Sequence, residues 1–193
     1  KKNGEKYLPE IKKLEEQLEK IFPGTIKSGL DPRSAHIIIF DKSSNDRFED
    51  LTYAAFPPER IKDKQAEEWL KTVAKGPGWR SSTVCTFDLS KYRNETNIKR
   101  NIVYNAGYMY MTQLSRGKAP DFIKCGFGNL CEGLLYRDPT QITISYELRD
   151  FKAGGRWADN MRALVKKRKA ATCDEIYNLS MEAMTFEQYI QCW

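Results

Sequence analysis

The sequence predicts an α+β fold in which a small mixed sheet accompanies several helices. Long segments space their apolar residues three and four positions apart, which is typical of amphipathic helices. Two short runs rich in β-branched residues, His36–Phe40 and Ser82–Leu89, favour strands. With 40% apolar and 30% charged residues, the chain can bury a core and keep a solvated surface.

The first predicted helix covers residues 5–22. Its apolar residues fall on one face and charged residues fill the other. The apolar set is Leu8, Ile11, Leu14, Leu18 and Ile21. Phe22, Pro23 and Gly24 end the helix. The apolar run His36–Phe40 then predicts a buried strand.

Two helices are predicted between the strands. One lies around Asp46–Ala55 and the other covers Glu59–Ala74, with Pro57 and Pro58 separating them. The strand Ser82–Leu89 alternates in part between apolar and polar residues, and we expect it at an edge of the sheet.

A long helix, Ile98–Leu114, is predicted after this strand. By helical spacing, six of its residues fall on or near one face, namely Ile98, Ile102, Asn105, Ala106, Met109 and Gln113. A second helix begins near Phe122 and carries Cys-Glu-Gly-Leu-Leu at 131–135. From the helical spacing, and from the family resemblance described below, we expect the two helices to pack side by side.

The last third of the chain predicts one more strand and three more helices. The strand is Gln141–Leu148, and the first of the helices, Trp157–Lys169, ends in a run of basic residues. Capping-box patterns at Thr172 and Thr185 open the other two helices. Because the chain stops soon after Thr185, we expect the last helix to continue beyond Trp193 in a longer protein.

The length of 193 residues suits a single domain, with a helix and sheet part in 1–97 and a helical part in 98–193. The net charge of +6 permits an acidic partner. No apolar run approaches the roughly 18 residues of a membrane span. The oligomeric state is left open by the sequence.

The five cysteines leave at least one thiol outside any internal disulfide. They are Cys85, Cys125, Cys131, Cys173 and Cys192, and both buried thiols and one disulfide are compatible with them. His36 is the single histidine, and no Cys-x-x-Cys pair occurs. The sequence therefore predicts no zinc site and no cofactor.

The succession of elements resembles the catalytic domain of a gluzincin (zincin) peptidase. More narrowly, it is similar to a peptidase-MA-like family of unknown function found in exported bacterial proteins. The resemblance rests on the helix Ile98–Leu114, on Pro120-Asp121-Phe122, on the later stretch 128–136 and on 186–193. In gluzincins a Glu-Gly-Leu-like stretch supplies the third metal ligand, which matches Glu132, 27 residues after Asn105.

The zinc motif of that family is missing here. Its His-Glu-x-x-His helix places two imidazoles on one face and a general base between them. The matching positions 105–109 read Asn-Ala-Gly-Tyr-Met, so both histidines and the base are lost. The resemblance implies a peptidase scaffold without metal or hydrolytic residues, in a periplasmic or extracellular protein.

We therefore predict no catalytic residues and no metal ligands, but a binding region built from Asn105, Tyr108, Met109 and Glu132. A buried Glu132 would need a partner, for which the sequence offers donors and cations. The candidates are Asn105, Tyr108 and Tyr110 as donors and Arg100, Arg116 and Arg137 as cations. We expect Asn105 and Met109 to face Glu132.

The predicted function is a metal-free binding or scaffolding module for a peptide or protein segment. The segment would add as a strand along Ser82–Leu89, since substrate follows an edge strand in peptidases of this build. One alternative is an enzyme of unrecognised chemistry that uses Glu132 in the cleft between the helices. Another is nucleic-acid binding by Arg162 and the basic run 166–169, but no interleaved aromatic motif supports it.

Overall fold

The computed structural model describes residues 2–24, 36–40, 45–57, 64–76, 78–80, 84–92, 94–137, 157–179, 183–185, 187–188 and 191. These residues form seven helices and two strands. In chain order they are α1 (Lys2–Ile21), β1 (His36–Phe40), α2 (Asn45–Ala55), α3 (Lys64–Ala74), β2 (Val84–Asp88), α4 (Glu95–Leu114), α5 (Asp121–Tyr136), α6 (Trp157–Lys166) and α7 (Cys173–Tyr177). The α+β class is confirmed in this general, helix-dominated form.

Each predicted helix and strand up to residue 137 has a counterpart at nearly the predicted position. The third strand, Gln141–Leu148, lies outside the described residues. So do the aromatic residues of the last predicted helix, Phe186, Tyr189 and Trp193. The capping interactions at Thr185 are present, because Thr185 N–H donates to Gln188 Oε1 at 2.9 Å and Gln188 N–H donates to Thr185 Oγ1 at 3.2 Å.

The chain divides into two compact units. The first contains residues 1–9 and 31–99, and the second contains residues 10–30 and 100–193. The sequence-based division at residue 97 lies near the boundary between residues 99 and 100, but residues 10–30 belong with the helical unit.

The first unit is built on a parallel pair of strands. β1 and β2 pair in register from His36 opposite Val84 to Phe40 opposite Asp88, with α2 and α3 in the connection between them. The described sheet is thus parallel rather than mixed, apart from one isolated antiparallel bridge between Arg80 and Cys85.

The prediction that β1 is buried was wrong. None of its five residues is fully buried, and His36 and Ile38 are exposed. These two lie on the same face because strand side chains alternate with a period of two. An apolar run indicates that a strand can be buried, but it does not show that other parts of the protein cover both faces of that strand.

Aromatic contacts hold α2 against its neighbours in the first unit. Phe48 lies edge-on to Phe40 of β1 at 5.5 Å between ring centroids. Trp79 packs edge-on against Phe56 at 5.3 Å, and its indole N–H donates to Thr52 Oγ1 at 2.8 Å. Thr52 is fully buried, so this hydrogen bond satisfies a polar group that would otherwise be costly.

The second unit places α4 and α5 at its centre. On one side, Leu14 and Leu18 of α1 pack on Val103, Ala106 and other residues of the two helices. On the other side, a second cluster joins α4 and α5 to the α6 and α7 region through Tyr108, Cys125, Leu164, Ile176 and Met184. Helix α4 is therefore covered on more than one face.

The burial of α4 extends beyond the one face on which the sequence spacing placed its apolar residues. Every residue from 102 to 110 is buried, so the helix has no solvent-facing stripe over those turns. A helix surrounded by protein needs no amphipathic pattern. The expected face was only part of its buried surface.

Helices α4 and α5 approach closely at two glycines. A Cβ on Gly107 would lie 2.6 Å from Cys131 Sγ, and a Cβ on Gly128 would lie 2.8 Å from the Tyr104 carbonyl oxygen. The expected side-by-side packing of these helices is therefore present. Tyr108 meets Asp121 near one end and Arg100 meets Glu132 near the other, so the two helices run antiparallel.

Candidate functional site

Glu132 is the buried acid at the centre of the predicted binding region. Its side chain has no exposed surface, and Arg100 Nη1 donates to its Oε1 at 3.1 Å. Arg100 is itself only 17% exposed. Arg100 was one of three candidate cations, and this pairing gives the carboxylate the charge partner that burial requires.

Arg100 extends the contact to Tyr136 on the next turn of α5. Its Nη2 donates to the Tyr136 carbonyl oxygen at 3.4 Å, and its guanidinium lies 5.1 Å from the centre of the Tyr136 ring. The Tyr136 hydroxyl donates to Glu10 Oε2 at 2.8 Å, and Lys13 lies 3.5 Å from the other oxygen of Glu10. Two carboxylates, two cations and a phenol thus form one polar network.

The network keeps Tyr136 protonated. Burial raises the pKa of its hydroxyl above the ordinary range, and the hydrogen bond to Glu10 raises it further. The hydroxyl therefore acts as a hydrogen-bond donor and not as a base. Sequence reasoning missed Glu10 and Tyr136, because they lie 126 positions apart and no local pattern links them.

Asn105 has its described contacts within its own helix. It is 3% exposed, and its amide donates to the Asn101 carbonyl oxygen at 2.8 Å and also to the Asn101 side chain. Met109 is completely buried. Both residues belong to the core of the second unit.

Tyr108 belongs to a different neighbourhood. It is 9% exposed and packs in the cluster with Cys125 and Leu164. Its hydroxyl donates to Asp121 Oδ1 at 3.3 Å, which also receives Lys124 Nζ at 3.3 Å. Tyr108 therefore ties the start of α5 to α4, at the opposite end of α5 from Glu132.

The helical positions of the α4 residues show which of them face α5. Arg100, Tyr104 and Gly107 touch α5 and lie on one face of α4. Asn105 is turned about 100° away from Tyr104, and Met109 is turned further. The described contacts place Arg100 against Glu132, and the expectation that Asn105 and Met109 face Glu132 stays a prediction.

The residues at the expected metal position do not fit zinc. Asn105 and Met109 are not the imidazole or thiolate ligands that zinc prefers, and the Glu132 carboxylate is bonded to a guanidinium. Among the described residues, no group of three or more His, Cys, Asp and Glu side chains could hold a metal ion.

Two of the cysteines, Cys85 and Cys131, lie in surroundings that do not activate a thiol. Cys85, Cys125 and Cys131 are buried and Cys173 is exposed, and none of these four forms a disulfide. Burial raises the pKa of Cys85 to about 12 and also raises the pKa of Cys131. These two side chains therefore stay as neutral thiols near neutral pH, where a nucleophile needs a thiolate.

Asn129 is a buried polar residue that the sequence did not single out. It is fully buried on α5, and its amide nitrogen and oxygen have no hydrogen-bond partner among the residues that the structure describes. Such a group costs about 1–3 kcal/mol. Nothing in its sequence neighbourhood marks it, since an asparagine in an apolar helix gives no sign of its partners.

The strand proposed for peptide addition is partly covered by its own chain. β2 pairs with β1 on one side, and Thr86 N–H donates to the Trp79 carbonyl oxygen at 2.9 Å. The Trp79 N–H also donates to Thr86 Oγ1 at 3.0 Å. An incoming strand would need to displace residues 78–80 to bond with Thr86.

Comparison with known proteins adds no relative. No family model matches the chain, and neither a curated protein nor a solved structure matches it significantly. The resemblance to gluzincins stays a prediction. None of the helices in the described ranges is both long and apolar enough to cross a membrane.

Proposed function

We propose that this chain is a metal-free binding or scaffolding module on a gluzincin-like framework. The observation that carries the proposal is the fully buried Glu132 held by Arg100 at 3.1 Å. In the peptidases that the sequence resembles, the matching carboxylate binds zinc. A guanidinium on this carboxylate supplies a fixed positive charge without any metal chemistry.

The burial of the neighbouring positions supports the same proposal. Asn105, Tyr108, Met109 and Glu132 are all 9% exposed or less. A peptidase needs its metal ligands and base to line a cleft that substrate can enter. Core residues in those positions favour a structural role for this region, with the binding surface elsewhere on the module.

The partner in this proposal is a protein or peptide segment. Strand addition along Ser82–Leu89 would break the backbone hydrogen bond between Thr86 and Trp79. Moving Trp79 would also strain the hydrogen bond from its indole to Thr52. That cost favours a surface outside the sheet. Export to the periplasm or the extracellular space belongs to the proposal through the resemblance alone.

A peptide-library digestion tests whether the chain is catalytic. The untagged protein is incubated with a mixed synthetic peptide library, with and without added zinc, and cleavage products are identified by mass spectrometry. We expect no cleavage above the level of a heat-denatured sample. Glu132→Gln is the matched control, because it removes the carboxylate that any hydrolysis through this region would use.

Cleavage by the wild-type protein that disappears in Glu132→Gln would overturn the proposal. It would favour an enzyme that uses Glu132 with its Arg100 and Tyr136 neighbours. Circular dichroism of the variant, compared with the wild type, separates loss of activity from loss of fold.

A further inference from the structure

The end of α6 carries a run of exposed basic residues. Lys166, Lys167, Arg168 and Lys169 are all exposed, and the helix terminates within the run. The Arg168 N–H bonds to the Val165 carbonyl and the Lys169 N–H bonds to the Leu164 carbonyl, which forms a Schellman-type end. We call these four residues the basic end.

Arg168 occupies a backbone position that usually favours glycine. Its φ is 54°, in the left-handed region, where a side chain costs about 1–2 kcal/mol. Arg116 and Arg137 occupy comparable positions after α4 and α5. The turn at Arg168 ends the helix, and the residues that follow it, 169–171, line a groove.

The charges of the basic end are not neutralised within the described part of the chain. No described carboxylate lies within ion-pair distance of any of the four, whereas the nearby Arg162 pairs with Asp159 at 2.8 Å. The whole chain has a net charge of +6. Four adjacent exposed cations raise the local concentration of anionic groups and favour an acidic partner.

A polar groove of about 600 Å³ adjoins the basic end. Arg168 and Lys169 line one part of it, and Glu187, Gln188 and Gln191 line another. Ala170, Ala171 and Leu179 add small and apolar surface. The groove thus combines cations with side-chain amides, which can bond to the N–H and C=O groups of an extended peptide.

We propose that the basic end and this groove bind an acidic segment of another protein. Carboxylates of the segment would meet Lys166–Lys169, and its backbone would bond to the glutamine amides. This inference rests on the proposed binding function and names the chemical class of its partner.

A nucleic acid fits the groove less well. Glu175 and Glu187 also line it, and a phosphate backbone carries a charge at every nucleotide, whereas a peptide segment can place uncharged residues beside these two carboxylates. Binding of single strands also depends on aromatic platforms for the bases. None of the described lining residues is aromatic, and the nearby Tyr177 packs on Phe122 at 6.1 Å.

Fluorescence anisotropy tests the proposal with three probes. They are a short fluorescein-labelled peptide of alternating Gly and Glu, the same peptide with Gln in place of Glu, and a labelled oligothymidylate of similar charge. We expect the wild-type protein to bind the Glu peptide and not the Gln peptide. The affinity should fall as salt is added, because exposed charges are screened.

The test variant combines Lys166→Gln, Lys167→Gln, Arg168→Gly and Lys169→Gln. Glycine keeps the left-handed turn at 168, so the variant removes charge without straining the backbone. We expect the dissociation constant for the Glu peptide to rise about tenfold, since several exposed ion pairs of modest strength are lost together.

The control variant removes the same four charges elsewhere in the second unit. It combines Lys12→Gln, Lys20→Gln, Arg116→Gly and Lys118→Gln, and none of these residues lines the groove. Arg116 shares the left-handed backbone of Arg168, with a φ of 51°, so the glycine substitution is matched. We expect this variant to bind within about twofold of the wild type, because distant exposed charges are largely screened.

Three results would overturn the proposal. The first is equal binding of the Glu and Gln peptides by the wild type, and the second is equal weakening of binding in both variants, which would indicate net charge alone. Tighter binding of the oligothymidylate, lost in the test variant, would assign the surface to nucleic acid. Mass spectrometry of the recovered probe distinguishes failure of the proposed function from failure of this inference. Cleavage of the probe would contradict the non-catalytic binding function, whereas the anisotropy result alone decides whether the basic end is the binding surface.

Discussion

Replacing Arg100 by methionine should leave a buried, unpaired carboxylate at Glu132. Removal of one partner from a buried ion pair typically costs about 3–5 kcal/mol. Arg100 is 17% exposed, so water can reach part of the site, and we expect a loss near 3 kcal/mol. The lost contact with the Tyr136 ring, worth about 0.5–1 kcal/mol, is included in that figure.

Urea denaturation followed by circular dichroism measures this loss. Domains of this kind have a free energy of unfolding of about 5–15 kcal/mol, so a change of 3 kcal/mol would shift the midpoint clearly. A double-mutant cycle adds Glu132→Leu alone and with Arg100→Met. The double variant should be more stable than Arg100→Met, because an apolar pair leaves no buried charge.

Arg162→Met is the matched control for the cycle. Arg162 also pairs with an aspartate, but both side chains are largely exposed, and such pairs contribute about 0–1 kcal/mol. The reasoning would be refuted if Arg100→Met cost no more than Arg162→Met. A coupling energy near zero in the cycle would refute it as well.

The remaining predictions concern packing, thiol reactivity and pH. Gly128→Ala should destabilise the protein by about 1–3 kcal/mol in the same urea assay, since its Cβ would lie 2.8 Å from the Tyr104 carbonyl oxygen; Gly4→Ala, with nothing within 4 Å, should not. Cys173 should react with a maleimide in the native protein, whereas Cys85 should react only after unfolding. Mass spectrometry of the labelled peptides measures this, and equal labelling of both in the native protein would contradict the burial of Cys85. Burial raises the pKa of Cys85 from 9.0 to about 12. The thiol therefore favours the folded state fully below pH 9, and its contribution is lost as pH rises towards 12, by at most about 1.4 kcal/mol per unit. Urea midpoints that stay constant over that range would contradict this.

Local patterns predicted most of the secondary structure. The helices α1, α2, α4 and α5 and the strands β1 and β2 lie within a few residues of their predicted positions. Spacing of apolar residues, proline and capping signals depend only on near neighbours, which is why they were sufficient. The burial of β1 could not be predicted in the same way, because it depends on what the rest of the chain places over each face.

The contacts of the candidate site could be predicted only in part. That a buried Glu132 needs a cation follows from electrostatics, and Arg100 was among the candidates. Arg100 is the partner because of the antiparallel register in which α4 and α5 pack. In that register the two helices approach closely at Gly107 and Gly128. Sequence spacing within one helix does not contain that register.

The open edge expected for Ser82–Leu89 shows the same limit. Alternation of apolar and polar residues indicates a strand, but the hydrogen bond from Thr86 to Trp79 depends on where residues 78–80 lie relative to the strand. A short segment can accept or donate the backbone hydrogen bonds of an edge strand without having any strand pattern of its own.

Zinc stoichiometry tests the metal-free character of the module most directly. The untagged protein is equilibrated by dialysis against micromolar zinc, and bound metal is measured by plasma mass spectrometry beside Glu132→Gln. We predict far less than one zinc ion per chain in both samples, because Glu132 is committed to Arg100 and its neighbours are poor zinc ligands. One zinc ion per wild-type chain, lost in Glu132→Gln, would contradict the proposed function.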